Sequence, residues 1–362
     1  MKTVGILTLQ NTVNYGAMLQ VSALQSVLES LGVTCQVLNY TNHVVEARES
    51  STRFSLNPRK FVRYAMRHGF EKRREEGFAR FVCAALHLTD PMDSRALLEY
   101  VQGLDCLVVG SDQVWSPRIN GRDAMYFGAG VPSSTKLVAY AASLGGASAE
   151  EMLLCDPNLK NDLARFSHVS VREASSIPVL AQLGIQASWS PDPTFLLSGD
   201  QWMQKYVPIA DKPKHRYVLM YTLNGEKELV DAAQTYARTH CIEAIALHYN
   251  TRGFNGFTNI RDASPADFLQ LMHGARCVFT DSFHGTCFAL NFGKEFYVKL
   301  SKAKPHGNAR MVDLLGRYGV TGRYLDTSKV PAPPLDHMTI QEALDRDRRQ
   351  GLDYLENCVL LG

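Results

Sequence analysis

The chain has 362 residues, 45% of them hydrophobic and 20% charged, and its 38 basic residues nearly balance 36 acidic ones. These values are typical of a globular enzyme of about two domains, and they exclude collagen-like, repetitive and disordered proteins. The net charge of +2 gives no reason to expect a nucleic-acid partner, and no run of about 18 apolar residues predicts a membrane-spanning helix.

Strand-like and helix-like patterns alternate from the start of the chain. Residues 3–9 form an aliphatic run that predicts a buried strand, residues 16–31 place apolar side chains at helical spacing, and residues 33–38 predict a second strand. Because such a strand–helix–strand unit forms a right-handed crossover, a parallel sheet is expected. Further strands are predicted at 104–109, 137–142 and 168–171, with a helix near 178–183.

A second series follows a proline-rich turn at 190–193. Its strands are predicted at 217–221, 242–247, 277–280 and 296–298. Ser264 followed by Pro265 predicts the start of a helix, and Thr339 with Glu342 has the form of a capping box that opens a last helix.

Two such series predict an α/β fold of two Rossmann-like, doubly wound domains that face each other across a cleft. The expected segments are an N-terminal domain at 1–195 with a basic helical insert at about 53–86, a C-terminal domain at 196–335, and a C-terminal helix at 336–362. Ligands of doubly wound sheets bind outside the carboxyl ends of the strands, so the polar segments after the strands are the candidate site.

The insert is strongly basic. From Arg53 to Arg80, nine basic residues stand against three acidic ones, with aromatic residues between them. One interpretation is a basic amphipathic helix that contacts an anionic membrane surface or an acidic glycan. The other is a solvated helical face whose aromatic side is buried.

Two polar segments follow predicted strands of the first domain. The segment at 11–17 enters a helix, whose backbone N–H groups attract anions, but it is not a G-x-G-x-x-G loop and does not favour a dinucleotide. The segment at 110–115 offers polar donors and an indole ring to a sugar. An ordinary turn or helix cap is the alternative for both. Candidate acceptor or cleft residues are Asn14, Tyr15, Gly16, Ser111, Asp112, Gln113 and Trp115.

Charged residues follow two more strands. Arg172 is either a ligand group or half of a structural ion pair with its neighbour Glu173. His284 lies at a strand-to-helix turn, where an imidazole suits general acid–base chemistry, although it could equally cap the helix. Downstream cations of the 302–310 stretch either reach a phosphate or line a solvated loop.

In this order, these segments resemble the polysaccharide pyruvyl transferase family over roughly residues 3–320. The resemblance rests on GILTLQNTVNYGAMLQ, VVGSDQVW, SVRE and TDSFHGTCFAL, and on DPTFLL at the end of the first domain. It implies a GT-B-like pair of domains with the active site between them. It also implies transfer of a pyruvyl group from phosphoenolpyruvate to two sugar hydroxyls, giving a cyclic ketal.

The resemblance assigns roles to individual residues. The family's functional His matches His284, its donor-binding Arg matches Arg172, and a downstream cation matches Lys302 or Lys304. The insert corresponds to a variable region, from which nothing about the acceptor carries over. The expected donor contacts are Arg172, Ser282, Gly285, Lys302, Lys304 and Arg310.

The leading hypothesis is a cytoplasmic transferase that modifies a surface polysaccharide or its precursor. Its expected partners are phosphoenolpyruvate as the donor substrate, a glycan or lipid-linked oligosaccharide as the acceptor, and the inner face of the cytoplasmic membrane through peripheral contact. No cofactor, metal or nucleic acid is expected, since no C-x-x-C pair or ligand cluster stands in the sequence. The alternatives are a nucleotide-sugar-dependent GT-B glycosyltransferase and a non-catalytic subunit of a polysaccharide-assembly complex.

Overall fold

The structure is a computed structural model that describes residues 1–45, 58–154, 156, 158–207, 217–301, 305–325, 330 and 332–361. At 58–68 and 305–306 it describes the backbone alone. The predicted site residues Lys302 and Lys304, and the first part of the basic insert, lie outside the described residues or side chains.

The chain divides into two compact units. Unit 1 comprises Met1–Ser51, Cys83–Leu196 and Asp345–Gly362, and unit 2 comprises Thr52–Val82 and Leu197–Leu344. Residues 58–82 of the basic insert thus group with the second sheet, and the last helix from residue 345 onward groups with the first. The predicted domain boundaries at 195 and 335 stay predictions.

Each unit contains one parallel sheet. The sheet of unit 1 has the order β2-β1-β3-β4-β5-β6, and the sheet of unit 2 has the order β11-β10-β7-β8-β9. The strands are β1 (Thr3–Leu7), β2 (Thr34–Val37), β3 (Cys106–Gly110), β4 (Lys136–Ala142), β5 (Phe166–Val171), β6 (Ser188–Trp189), β7 (Tyr217–Thr222), β8 (Ala244–His248), β9 (Thr258–Ile260), β10 (Ala275–Thr280) and β11 (Glu295–Val298).

Helices connect the strands and cover the sheets. The α-helices are α1 (Tyr15–Ser30), α2 (Pro58–Ala85), α3 (Ser94–Val101), α4 (Pro117–Asn120), α5 (Ala149–Leu153), α6 (Leu159–Ala164), α7 (Ile177–Gln182), α8 (Gly199–Tyr206), α9 (Lys227–Thr239), α10 (Pro265–Gly274), α11 (Phe283–Asn291), α12 (Ala309–Arg317) and α13 (His337–Glu356). No helix among the described residues is long and apolar enough to span a membrane.

The central strands are apolar along their whole length because helices cover both faces of a parallel sheet. All five residues of β3 and all six of β7 are buried. Parallel pairing in register brings the carboxyl ends of neighbouring strands to one edge, as Leu7 pairs with Val109 and Tyr221 pairs with Thr280. The loops that follow these strands therefore lie along one edge of each sheet.

The C-terminal part of α13 packs in unit 1. The Tyr354 hydroxyl donates to the carbonyl oxygen of Ala139 in β4 at 2.9 Å, and Arg348 Nε donates to the carbonyl oxygen of Phe195 at 2.8 Å. The end of the last helix thus packs against the first sheet at β4.

The strands predicted from apolar runs are confirmed, with shifts of up to two residues at their ends. The predicted capping box at Thr339 is wrong, because α13 begins at His337 and Asp336 caps it. The Asp336 carboxylate accepts from Thr339 N at 3.1 Å and from Thr339 Oγ1 at 2.7 Å. Thr339 is therefore a capped residue and not the cap.

Candidate functional site

The segment after β1 caps the N-terminus of helix α1. The Asn14 side chain is the N-cap, and its Oδ1 accepts from Gly16 N at 2.9 Å and from Ala17 N at 3.3 Å. Tyr15 is fully buried in the core of unit 1. Of the three predicted residues, Asn14 and Gly16 thus form the helix cap that their alternative interpretation described.

The segment after β3 is largely built into unit 1. Ser111 is fully buried, and its Oγ donates to the carbonyl oxygen of Ala141 at 2.8 Å, while Gln113 is partly buried. The prediction that Trp115 forms a surface for a sugar is wrong. Its indole is fully buried, and its Nε1 donates to the carbonyl oxygen of Tyr126 at 2.8 Å. A ring enclosed in this way offers no face to a sugar.

Arg172 lies at the carboxyl end of β5 and is surrounded by three carboxylates. Its Nη1 lies 2.7 Å from Asp192 Oδ2, its Nη2 lies 3.3 Å from Asp112 Oδ1, and its Nε lies 3.3 Å from Glu173 Oε1. The Arg172 side chain is 2% exposed. The structural ion pair considered for Arg172 and Glu173 is therefore present and extends to two further acids.

The carboxylates are themselves held in place. Glu173 Oε1 accepts from Ser143 Oγ at 2.7 Å, and Asp192 Oδ1 accepts from the backbone N and the hydroxyl of Thr194. Burial alone lowers the pKa of Arg172, but the negative charges of the three acids outweigh burial and raise it. Arg172 therefore stays charged, and each of the three nitrogens of its guanidinium lies close to a protein carboxylate. Its donor-binding role stays a prediction.

The second cluster lies at the N-terminus of α11, after β10. Ser282 is the N-cap, and its Oγ accepts from Gly285 N at 3.3 Å. An added Cβ at Gly285 would lie 2.5 Å from Thr280 Oγ1 and 2.8 Å from Tyr221 Cδ1. Glycine is required here because the first turn of the helix packs directly against the ends of β10 and β7.

His284 is the second residue of α11 and is buried. Its ring packs edge-on against Phe283, with the centroids 5.2 Å apart, and the guanidinium carbon of Arg310 lies 5.4 Å from the Phe283 ring. The structure thus brings four predicted residues, Ser282, His284, Gly285 and Arg310, to one helix terminus. Because the positive end of the helix dipole and a guanidinium meet here, the cluster favours an anion.

Asp281 is a residue of this site that was not predicted. Its carboxylate accepts from Thr222 Oγ1, from the backbone N of Leu223, and from both the backbone N and the side-chain amide of Asn224, at 2.7–3.0 Å. These bonds fix the loop after β7 beside the start of α11. The quoted motif TDSFHG contains Asp281, but the residues it binds lie almost 60 positions earlier.

The buried Tyr221 ring packs beneath the start of α11, since an added Cβ at Gly285 would lie 2.8 Å from its Cδ1. Burial raises the pKa of Tyr221, so its hydroxyl stays protonated.

The comparisons with known proteins concern both sequence and fold. The family model of the polysaccharide pyruvyl transferases matches residues 14–299. Comparison with curated proteins gives no match. The structure resembles UDP-GlcNAc 2-epimerase from Neisseria meningitidis bound to UDP-GlcNAc, with 11% identity, 100% of both chains covered and a TM-score of 0.52.

It also resembles an alpha-glucosyltransferase in complex with UDP, with 8% identity, 98% of this chain and 95% of that chain covered, and a TM-score of 0.50. At such low identity the likeness shows the fold alone. That fold is GT-B, which confirms the predicted class of two Rossmann-like α/β units.

Proposed function

The chain belongs to the polysaccharide pyruvyl transferase family, and we propose that it transfers the pyruvyl group of phosphoenolpyruvate to two hydroxyls of one sugar. The acceptor sugar belongs to a polysaccharide or to its lipid-linked precursor, and the product is a cyclic ketal. The observation that supports this proposal is the cluster at the start of α11, where an imidazole lies beside a helix N-terminus and a guanidinium.

The proposed reaction is balanced without an oxidant or a reductant. A proton adds to C3 of the enol, and one sugar hydroxyl attacks C2. The second hydroxyl then replaces the phosphate at C2 and closes the ketal. Of the two hydroxyl protons, one restores the acid that protonated C3, and the other leaves with the phosphate.

His284 is the proposed acid–base group. Its imidazole would deliver the proton to C3 and recover a proton from the attacking hydroxyl. The positive charge that develops at C2 has a carboxylate and a phosphate as neighbours. The helix N-terminus and Arg310 are suited to hold these anions and orient the donor.

The test is a reaction of the purified protein with phosphoenolpyruvate and a panel of candidate glycans. Phosphate release that depends on the glycan, together with a new ketal methyl signal in the NMR spectrum of the glycan, is the expected result. His284→Gln should lower kcat by about 10²–10⁴-fold with little change in donor binding. His337→Gln is the matched control, because this imidazole is half-exposed in the same unit.

Other outcomes contradict the proposal. Consumption of a nucleotide sugar with no use of phosphoenolpyruvate would show the glycosyltransferase alternative. Binding of a glycan with no turnover of any donor would show a non-catalytic subunit. Full activity in folded His284→Gln protein would remove His284 from the chemistry.

A further inference from the structure

A small pocket of unit 2 is formed partly by α2, the helix of the basic insert. Arg74 of α2, Tyr249 after β8 and Arg261 after β9 line it, with Phe70 and Glu71 at its side. We call it the Arg74–Arg261 pocket. Its cavity volume of about 10 Å³ admits one water-sized group, such as a single oxygen atom of a larger ligand.

Both guanidiniums of the pocket lie over aromatic rings. The Arg74 Cζ is 4.6 Å from the centroid of Tyr249, and the Arg261 Cζ is 5.1 Å from the centroid of Phe70. Stacking of this kind fixes the plane of a guanidinium and leaves its N–H edge available for an acceptor. The rings therefore hold two cations in place without neutralising them.

Neutral backbone oxygens are the hydrogen-bond acceptors of these two arginines. Arg74 Nη1 donates to the carbonyl oxygen of Arg261 at 3.3 Å, and Arg261 Nη1 donates to the carbonyl oxygen of Thr251 at 3.1 Å. Within the described part of the chain, both Nε atoms are shielded from solvent and have no acceptor. A buried N–H without an acceptor is unfavourable, and a charged one more so.

The neighbouring arginine of the same helix shows the contrast. Arg73 Nε lies 2.6 Å from Asp262 Oδ2, so the fold supplies a carboxylate to this residue. In the pocket itself, two guanidiniums stand against the single carboxylate of Glu71. The positive charge in excess calls for an anion from outside the chain.

The pocket and the His284 cluster belong to the same edge of the second sheet. Tyr249 and Arg261 follow β8 and β9, and His284 follows β10, each after the carboxyl end of a parallel strand. Ligands of such sheets bind outside these strand ends.

We propose that Arg74 and Arg261 form a subsite for a carboxylate or phosphate group of a substrate. The guanidinium N–H groups suit such oxyanions because a charged donor makes a strong hydrogen bond to a carboxylate or phosphate oxygen. The identity of the molecule rests on the proposed function, in which either the donor phosphoenolpyruvate or an acidic acceptor glycan carries the group. The subsite gives the described part of the insert a role in substrate binding.

The test is calorimetric titration of the whole protein with inorganic phosphate, phosphoenolpyruvate and a hexuronate. We expect Arg74→Gln and Arg261→Gln each to weaken binding of at least one probe by tenfold or more. The matched control is Lys72→Gln, an exposed cation of the same helix, which should bind like wild type. Loss with phosphoenolpyruvate identifies the donor as the source of the anion, and loss with the hexuronate alone identifies the acceptor.

Arg74→Lys keeps the charge but loses the planar edge, so it should bind with intermediate affinity, and its melting temperature reports whether the fold is intact. Unchanged affinity in both Gln variants, or no binding of any probe to wild type, overturns the subsite. His284→Gln should bind the probes normally. Anion binding without ketal formation would therefore refute the proposed function alone, whereas ketal formation with unchanged KM values in Arg74→Gln and Arg261→Gln would refute the subsite alone.

Discussion

Replacing Arg172 by methionine tests whether this residue holds unit 1 together or binds the donor. Methionine preserves much of the length of the side chain and removes its charge. In the variant, the carboxylates of Asp112, Glu173 and Asp192 would remain close together without a cation, and the side chains of the last two are 2% and 1% exposed. Removing one partner of a buried ion pair typically costs about 3–5 kcal/mol.

The expected change is large enough to measure by calorimetry. For a unit of this size, each kcal/mol corresponds to about 2–4 °C, so the melting transition of unit 1 should fall by about 6–20 °C. Adding Asp192→Asn should recover part of this loss, because it removes one of the unpaired charges. Arg95→Met is the control, since Arg95 is 88% exposed and forms an exposed ion pair with Glu99 one turn away.

An unchanged melting temperature together with lost donor binding would refute the structural role of Arg172. If Arg172→Met melts like wild type but no longer binds phosphoenolpyruvate, Arg172 contacts the donor and its ion pairs are dispensable. If it melts early and retains donor affinity below its transition, the ion-pair role is established. Arg172→Lys should lie between the two proteins in stability, because an ammonium cannot serve three carboxylates with the geometry of a planar guanidinium.

Three further predictions concern unit 2. Gly285→Ala should destabilise this unit by about 1–3 kcal/mol, because the new methyl group would overlap Thr280 Oγ1; an unchanged melting temperature would contradict the close packing. Asp281→Asn should accelerate amide hydrogen exchange at Leu223, since an amide cannot accept four hydrogen bonds; unchanged exchange would show that the loop is fixed by other contacts. Burial lowers the pKa of His248, so unfolded protein binds its proton more readily and stability is lost as the pH falls below about 6.5. His248→Gln should flatten the pH dependence of unfolding between pH 7 and pH 5, and an unaltered profile would exclude this residue as its source.

The sequence was sufficient for the central strands because their signal is local. A run such as Val218–Tyr221 is buried on both faces, so every residue in it is apolar. The edge strands β6 and β9 were missed because they have two and three residues and are partly exposed. Short strands of mixed polarity give neither an apolar run nor a clear alternation.

The sequence predicted where along the chain the candidate site residues lie, but it did not predict their burial or their hydrogen-bond partners. The sequence placed Arg172 and Trp115 after strands, where ligands bind, yet each is enclosed by the protein. The carboxylates that bind Arg172 include Asp112 and Asp192, which are 60 and 20 residues away along the chain. No local pattern reveals such partners, because only the packing of the sheet brings the strand ends together.

The place of α13 in unit 1 has a consequence for the order in which the protein is made. Residues up to 196 leave the ribosome first, but the contacts of Tyr354 with Ala139 and of Arg348 with Phe195 need residues synthesised after all of unit 2. Domains generally fold as units in the order of their synthesis. Unit 1 departs from this order, because β4 lacks its contact with Tyr354 until about 150 further residues have been synthesised. We therefore expect the surface that packs against the end of α13 to be exposed during the synthesis of unit 2, the interval in which a chaperone would act.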